Sequence, residues 1–367
     1  MRTLIISDLH LGSRGGVDVL RRPAALQALL GGLDGVERLV LLGDVLELRA
    51  APFHEALAAA REPLRAIGRA LGEREVVLLV GNHDHAVLAP WFAQRALLEQ
   101  PAPLGVQTLV DGRQTGSPAL THLAELLSPA RVSVAHPGFW VREDVWAHHG
   151  HYLDVHITLP TMERLGAGAM GRLLAKKGRA PGRAEDYEAR LAPLYAWVDT
   201  ATASTQDGFL GGHVTVDAWN TLRGGPGLRG WRRARALALA RTFPLVIGAL
   251  NAAGLGPLSS AITSADIERA GLQAMAEVVA RLGVRAPHVL FGHTHRAGPL
   301  AGDAPAGWEI PGGARLYNCG SWVYETHFMG ADARESPYWP GRAVLVEDTG
   351  PPRLLSLLGE VPTPTLA

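Results

Sequence analysis

The chain has 367 residues, of which 47% are hydrophobic and 19% charged, and its 35 basic side chains balance its 35 acidic ones. This composition excludes a chain that is disordered throughout, and zero net charge excludes a uniformly basic protein that coats nucleic acid. The single cysteine, Cys319, excludes a disulfide framework and indicates a reducing compartment. Because the first apolar run, residues 4–6, is too short for an export signal, we expect a cytoplasmic protein without a cleaved leader.

Strands and helices alternate in the first half of the chain. Short apolar runs predict buried strands at residues 3–7, 38–42, 76–80 and 132–135. Apolar residues at three- and four-residue steps predict helices at residues 24–33 and 53–71. This alternation is typical of βαβ units, so we expect an α/β fold with a partly parallel sheet. Later strands are predicted at residues 288–291, 315–318, 343–347 and 353–358, and we expect the last three to be antiparallel additions.

The middle of the chain has few strand signals and is mostly helical in its periodicity. Helices are predicted at residues 161–176, 184–200, 230–242 and 264–282, with glycine and proline between them. We therefore predict a core formed by residues 1–154 and 288–360. A helical insertion at residues 155–287 interrupts this core, and residues 361–367 form a short tail.

Polar side chains with metal-binding chemistry follow four of the predicted strands. They are Asp8, His10, Asp44, Asn82, His83, His293 and His295. Because ligands bind at the carboxyl ends of strands in open α/β sheets, we expect these side chains to converge. Each short segment taken alone is also typical of a turn, but four in succession favour a metal or catalytic site.

The residue types and their spacing indicate two metal ions. In Asp8-x-His10 and in His293-x-His295, alternate residues share a face of an extended segment, so each pair can hold one metal. The two oxygens of Asp44 can bridge two cations. A mixed set of His, Asp and Asn favours divalent Mn, Fe, Zn, Co or Ni over Ca or Mg, and we expect Mn. Two such ions lower the pKa of a shared water and stabilise phosphoryl transfer.

The motifs Asp8-x-His10, Gly43-Asp44, Gly81-Asn82-His83-Asp84 and Gly292-His293-x-His295 resemble those of the calcineurin-like metallophosphoesterase family. That family also has a histidine motif before its last block, and residues 147–151, Ala-His-His-Gly-His, provide one here. The resemblance covers about residues 1–155 and 287–347 and does not reach the insertion. It implies a four-layer αββα sandwich with a dinuclear site at one edge.

The resemblance also implies a role for each residue. Asp8, His10 and His295 would bind the first metal, Asp44 would bridge, and Asn82, His149 and His293 would bind the second. His83 would be a general acid or charge stabiliser near the leaving-group oxygen, with Asp84 orienting it, while a metal-bridging hydroxide attacks phosphorus in line. His149 is favoured because it directly precedes glycine, and His151 would support a ligand or contact the substrate.

The insertion differs from the core in charge. Residues 155–287 contain sixteen basic and ten acidic side chains, a net charge of +6, so the remainder has a net charge of −6. Arginines cluster at residues 223–241, and the stretch at 242–265 is uncharged and apolar. Prolines in that stretch, and metal ligands on both sides of the insertion, argue against a transmembrane span. Three interpretations remain: a buried helical hairpin, a peripheral membrane contact, or a cap whose Arg232 and Arg233 bind phosphate.

The function predicted from these features is that of a metal-dependent phosphoesterase. Its substrate would be a phosphorylated small molecule or lipid that carries a phosphomonoester, phosphodiester or pyrophosphate bond, and no nucleic-acid partner is expected. One alternative is a UDP-diacylglucosamine-like pyrophosphohydrolase, although such enzymes typically have Arg where this chain has His83. A second alternative is a non-catalytic interaction module on the same fold, which would typically have lost ligands that this chain retains.

Overall fold

The computed structural model describes residues 1–110, 115–157, 181–204, 252, 264–329 and 332–361. The chain divides into two compact units, one formed by Met1–His151 with Val284–Ala367 and the other by Tyr152–Gly283. The first unit contains all of the site residues predicted from the sequence except Arg232 and Arg233. Those two arginines lie outside the described residues.

The described residues form ten β-strands and six α-helices. The strands are β1 Thr3–Ile6, β2 Arg38–Leu42, β3 Glu75–Leu79, β4 Gln107–Val110, β5 Arg131–Arg142, β6 Val145–His148, β7 His288–Phe291, β8 Arg315–Asn318, β9 Arg342–Val346 and β10 Arg353–Ser356. The helices are α1 Pro23–Gly32, α2 Phe53–Leu71, α3 Ala89–Ala96, α4 Pro118–Leu126, α5 Ala184–Ser204 and α6 Ser264–Leu282.

The ten strands belong to one mixed sheet. Its order is β10-β9-β1-β2-β3-β5-β6-β7-β8, and β4 pairs with β5. Strands β1, β2, β3 and the first part of β5 are parallel, and so are β6, β7 and β8. The pairs β1–β9, β9–β10, β4–β5 and β5–β6 are antiparallel. The carboxyl ends of β1, β2 and β3 therefore lie at one edge, and the loops that follow them are neighbours.

Strands β1, β2 and β3 are apolar after their first residue because both of their faces are buried. In β1, Leu4 and Ile6 belong to a cluster that includes residues of α1, α2 and α4. Ile5, which points to the other face, belongs to a second cluster with residues of β6, β7 and β8. Successive side chains of a strand point to opposite faces, so one short strand contributes to two hydrophobic cores.

The mixed α/β class predicted from the sequence is confirmed, but the direction of β8 was predicted wrongly. Strand β8 is parallel to β7, the strand with which it pairs along its length, and its antiparallel contacts are isolated bridges of Asn318 with Gly298 and of Arg315 with Glu309. Residues 292–314 lead from the end of β7 back to the edge of the sheet at which β7 begins, so that β8 can start beside it. The one helix in this connection is the short 3-10 helix Pro305–Trp308. A parallel pair needs a connection of about a dozen residues or more, and this segment provides one without an α-helix. The antiparallel prediction is confirmed for β9 and β10.

Two of the helices predicted in the insertion fall within the described residues. They are α5 and α6, and α6 has the predicted bounds. The predicted helices at 161–176 and 230–242, and most of the apolar stretch at 242–265, lie outside the described residues. Among the helices that are described, none combines the length and the apolar character needed to cross a bilayer.

Candidate metal centre

Loops that follow parallel strands bring the predicted ligands together. The loop after β1 is bonded directly to the loop after β2, because the Leu9 and His10 amides both donate to the Asp44 carbonyl at 2.9 Å. The loop after β7 joins the same region, since the His293 amide donates to the Asp8 carboxylate at 3.0 Å. Hydrogen bonds from backbone amides, to a carbonyl in one case and to a carboxylate in the other, thereby join residues that are distant in the sequence.

The backbone at the ligands is unusual. Within the described residues, positive φ angles occur at five non-glycine positions: Asp8, His10, Asp44, His293 and His295, with φ between 45° and 67°. All five are predicted metal ligands. The left-handed conformation costs L-residues roughly 1–2 kcal/mol each, and strain of this kind concentrates at functional sites. That the strained backbone positions are the predicted ligand positions supports a functional site, and this support comes from the backbone and not from the residue types.

The glycines that precede the ligands are needed for close packing. A β-carbon on Gly81 would collide with the Asp44 carboxylate and would lie 2.6 Å from His149 Nε2. A β-carbon on Gly292 would collide with Ser7 and with the Asp8 carboxylate. Glycine is therefore required in these motifs because another ligand occupies the space where its side chain would be.

Asp8, His10 and His295 form a first group of atoms that could hold a metal ion, and this is the set that the family resemblance implied for the first metal. The Nε2 atoms of His10 and His295 lie 3.1 Å apart. Asp8 Oδ1 lies 3.4 Å from His295 Nε2 and 3.9 Å from His10 Nε2. One atom from each residue can therefore contact a common ion, since all three atoms lie within 4.8 Å of one another.

Asp44, Asn82, His149 and His293 form the second group. Asn82 Oδ1 lies 3.2 Å from His149 Nε2 and 3.0 Å from His293 Nδ1. Asp44 Oδ2 lies 3.3 Å from His149 Nε2. The same Asp44 oxygen lies 3.7 Å from His10 Nε2, which belongs to the first group. Asp44 thus occupies the position between the two groups that a bridging ligand would need.

The chemistry of the second group suits a metal ion. Two imidazole nitrogens, a carboxylate and an amide side chain, those of His149, His293, Asp44 and Asn82, lie together there. With its oxygen toward the two histidines, the Asn82 amide offers a ligand atom. Turned over, its nitrogen would donate to His149, His293 and Asp44 instead. Nitrogen and oxygen donors of this kind are typical of sites for divalent transition metals.

In three histidines, Nδ1 faces an oxygen acceptor outside the two groups, so Nε2 is the ring nitrogen that remains for a metal ion. His10 Nδ1 donates to Glu47 Oε2 at 2.9 Å, and His149 Nδ1 donates to the Leu42 carbonyl at 2.8 Å. His295 Nδ1 lies 3.5 Å from Glu325 Oε2. Such partners are typical of metal-binding histidines because they fix the ring and keep the proton away from the metal side.

Electrostatics inside the first unit favours charged pairs in the metal-free site. Burial opposes the charged form of Asp8 and of Asp44, but the surrounding histidines hold the pKa of both carboxyls well below the usual range. Burial likewise opposes the charged form of His149 and His295, yet Asp44 and Asp8 raise the pKa of each ring to about 9. Metal binding must therefore displace protons from these rings.

His83 lies beside the two groups and is held by Glu47. Its Nδ1 donates to Glu47 Oε2 at 2.8 Å, and its backbone amide donates to Asp44 Oδ1 at 2.8 Å. Burial is the main cause that lowers the pKa of the His83 ring. His83 also lies close enough to His10 and Asp44 for the three to form a third cluster of ligand atoms. Its predicted role as an acid, and not as a ligand, stays a prediction.

Asp84 has a different set of partners from the one expected. Its carboxylate accepts from the backbone amides of Gly81 at 2.7 Å and Val45 at 2.8 Å, so it joins the loops after β2 and β3. The carboxylate on the His83 ring is that of Glu47. Burial, followed by the charge of Asp44, raises the pKa of Asp84 to about 6. Asp84 therefore shapes the loop that presents His83 and does not hold the ring itself.

The histidine block of residues 147–151 turns sharply after β6 ends at His148. Gly150 has a φ of 119°, and His151 begins a 3-10 helix. The His151 ring is fully buried, and its centroid lies 5.5 Å from that of His149 and 5.2 Å from that of His148. This position suits support of the ligand His149 better than direct contact with a substrate.

Sequence reasoning missed three residues at the site: Glu47, Arg49 and Glu325. Glu47 is buried and contacts both His10 and His83. Its position three residues after Asp44, in a segment between two predicted elements, was the only signal in the sequence. Asn318 donates to the Gly292 carbonyl and to Thr294 Oγ1, and so supports the loop of His293 and His295.

Comparison with known proteins adds nothing to this geometry, because no family model matches the chain and no curated protein does. The buried histidine and aspartate groups can hold metal ions, and this statement rests on their geometry alone.

Proposed function

We propose that the protein is a metal-dependent phosphoesterase that hydrolyses a phosphomonoester, phosphodiester or pyrophosphate bond. The observation that carries the proposal is the position of Asp44 Oδ2, 3.3 Å from His149 Nε2 and 3.7 Å from His10 Nε2, between two clusters of ligand atoms. Two adjacent cation positions that share one carboxylate are typical of enzymes that transfer phosphoryl groups.

Two divalent ions, with Mn as our choice, would occupy these positions. Asp8, His10 and His295 would hold one ion, Asn82, His149 and His293 the other, and Asp44 both. When bound, such ions lower the pKa of a water molecule and neutralise charge on the phosphoryl oxygens. The chain itself contributes rigid backbone at the ligands and excludes solvent, since Asp8, His10, Asp44, Asn82 and His149 are buried.

His83 is the group on this chain that would exchange a proton with the leaving-group oxygen. Because Glu47 accepts from Nδ1, the second ring nitrogen, Nε2, is the atom left for the substrate. General acid catalysis of this kind contributes about 10²–10⁴-fold to the rate. The presence of His83 also supports this assignment over a lipid pyrophosphohydrolase, in which arginine is expected at the same position.

The finer fold proposal is a four-layer αββα sandwich. It is supported by the hydrophobic cluster that joins Ile5, Val40 and Val77 of the first three strands to residues of β6, β7 and β8. We further propose a phosphorylated small molecule or lipid as substrate, with the insertion as a cap or as a peripheral membrane contact.

The test is hydrolysis of bis-p-nitrophenyl phosphate and p-nitrophenyl phosphate by Mn²⁺-loaded protein. We expect turnover by the wild type and a loss of about 10²-fold or more in His83→Ala. Asp34→Asn, at an exposed position, is the control for nonspecific effects. Failure to bind divalent metal overturns the proposal. Two bound ions without turnover of either ester, or of a dinucleotide pyrophosphate assayed alongside them, favour a non-catalytic binding module instead.

A further inference from the structure

An arginine that directly follows the predicted ligand His295 is held by the loop between β7 and β8. Arg296 donates to the Asp303 carboxylate through both terminal nitrogens, from Nη1 to Oδ2 at 3.0 Å and from Nη2 to Oδ1 at 2.5 Å. Each of the two side chains is 11% exposed. A bidentate pair is fixed in geometry as well as in charge, and a partly buried pair is screened less than a surface pair. The ion pair therefore fixes the residue next to His295 against the loop.

The loop itself supports this ion pair. Asp303 Oδ2 also accepts from the Leu300 amide at 2.7 Å, which joins the carboxylate to the backbone. The Arg296 guanidinium lies 5.3 Å from the centroid of the buried Trp308 ring, within the range of a cation–π contact. A β-carbon on Gly298 would collide with Trp308 and would lie 2.7 Å from Arg296 Nη1. Glycine therefore leaves the space in which the arginine packs against the tryptophan.

The residue on the other side of His295 is held as well. Asn318 Nδ2 donates to Thr294 Oγ1 at 2.8 Å and to the Gly292 carbonyl at 3.0 Å. The backbone of His295 itself has a φ of 59°, an unfavourable conformation that surrounding contacts must maintain. His295 thus lies between two anchored neighbours, Thr294 and Arg296, and these neighbours determine where its ring points.

We propose that Asp303, acting through Arg296, is a positioning residue for the metal position of the first group. The ion pair fixes the backbone at His295 and so the place of His295 Nε2, which lies 3.1 Å from His10 Nε2. The proposal rests on the proposed metal-dependent function, and it assigns a role to a pair of residues outside both ligand groups.

The metal position of the second group is expected to be independent of this pair. His293, which lies on the same loop, has its amide bonded to the Asp8 carboxylate at 3.0 Å. The other ligands of the second group follow β2, β3 and β6. Loss of the ion pair should therefore affect the two positions unequally, whereas a general loss of stability would affect both.

The experiment compares the full-length wild type with Asp303→Asn, Asp303→Glu and the control Asp144→Asn. Asp144 forms a matched bidentate pair with Arg142, at 2.5 Å and 2.9 Å, at the opposite end of β6 from His149. Calorimetry measures both Mn²⁺ affinities, and the hyperfine-shifted imidazole N–H signals of Co²⁺-loaded protein distinguish the two positions. Thermal unfolding of each variant measures its stability.

In Asp303→Asn, Mn²⁺ affinity at the first position is expected to fall about tenfold, the lower end of the effect of outer partners of a metal ligand, and the second affinity should not change. Asp303→Glu keeps the carboxylate and is expected to recover part of the loss. Asp144→Asn is expected to lower the unfolding temperature to a similar extent and to leave both affinities unchanged.

The outcomes separate this proposal from the phosphoesterase proposal. Unchanged affinities in Asp303→Asn, equal losses at both positions, or the same selective loss in Asp144→Asn overturn the positioning role and leave the phosphoesterase proposal standing. A selective loss at the first position supports the positioning role even if the wild type hydrolyses no ester. Absence of Mn²⁺ binding in the wild type overturns both. If Asp303→Asn does not fold, Arg296→Lys, which keeps the charge but not the bidentate pair, is judged by the same criteria.

Discussion

The two ligand groups of the candidate centre differ in the acceptors that the Nδ1 atoms of their histidines contact. In the first group, His10 contacts Glu47 and His295 lies 3.5 Å from Glu325, so both rings have a carboxylate behind them. In the second group, His149 donates to the neutral carbonyl of Leu42. A carboxylate behind an imidazole makes the ring a more basic ligand. We therefore expect the first position to bind metal more tightly, although both positions lie at one sheet edge and share Asp44.

The largest expected effect comes from removing the ligand that the two groups share. In Asp44→Asn, one carboxylate charge is lost from both positions, so Mn²⁺ affinity is expected to fall by more than about 100-fold at one position at least. Calorimetric titration with Mn²⁺ measures the stoichiometry and both affinities. Two ions bound with wild-type affinities would show that Asp44 bridges nothing, and Asp34→Asn controls for the loss of a surface carboxylate.

Glu47→Gln tests whether the two groups differ, because Glu47 contacts His10 of the first group and also the His83 ring. Loss of this carboxylate is expected to lower Mn²⁺ affinity at the first position by about 10- to 100-fold. Turnover at saturating Mn²⁺ should fall as well, because a neutral amide replaces the carboxylate that holds the His83 ring. The exposed Glu62→Gln is the matched control. An equal loss of affinity at both positions would contradict the asymmetry.

The pH dependence of Mn²⁺ affinity is expected to be steeper for the first group. Against the opposing effect of burial, Asp8 and Glu47 raise the pKa of His10 in that group, and the pKa of His295 is raised to about 9, whereas in the second group the pKa of His149 is raised to about 9. These rings are protonated below pH 9 in the metal-free protein and must lose the proton to bind metal. Mn²⁺ affinity should therefore rise by about tenfold per pH unit for each proton released as the pH approaches 9. Titrations at several pH values in buffers of different ionisation enthalpy count the protons. A flat profile from pH 6.5 upward would contradict the assignment of these rings as ligands.

The same rings make the stability of the metal-free protein decrease with rising pH, whereas Mn²⁺ affinity increases. Their pKa values are raised in the folded state, so the stability that they contribute is fully present below about pH 6.5 and is lost as the pH rises through 9. Thermal unfolding of the metal-free protein across this range checks the sign.

The smallest expected effect is that of Glu325→Gln. Its contact with His295 is longer than that of Glu47 with His10, so we expect only about a tenfold loss of affinity, confined to the first position. The hyperfine-shifted imidazole N–H signals of Co²⁺-loaded protein distinguish the two positions. A change confined to the second position would show that Glu325 does not support His295.

Most of the predicted ligands could be found from the sequence because they follow β1, β2, β3 or β7, which are recognisable on their own. His149 follows the unrecognised β6 and was assigned only through the family resemblance. Asp8 follows β1 and Asp44 follows β2, so parallel pairing brings these two to one edge. Strand β7 lies beyond the antiparallel β5–β6 pair, so parallel pairing alone does not explain how His293 reaches them. No recognisable strand precedes three other residues of the site, which are Glu47, Arg49 and Glu325. They reach the site through the path of irregular segments, which residue spacing does not encode.

The errors in the fold have similar causes. Strand β8 was assigned the wrong direction because direction depends on how a long connection folds, not on the strand's own residues. Strand β6, Val145–His148, was missed because it is short and runs into the histidine block. Helix α3 was missed because it has eight residues and none of them is buried, so it lacks a continuous apolar face.

The left-handed backbone at Asp8, His10, Asp44, His293 and His295 has a consequence for mutagenesis. Alanine removes the side chain but keeps the unfavourable conformation, whereas glycine removes both. At each of these positions the glycine variant of the metal-free protein should therefore be more stable than the alanine variant, by about 1 kcal/mol. Paired glycine and alanine scans would separate the chemical contribution of a ligand from the conformational cost of placing it, and β-branched replacements should be excluded at all five positions.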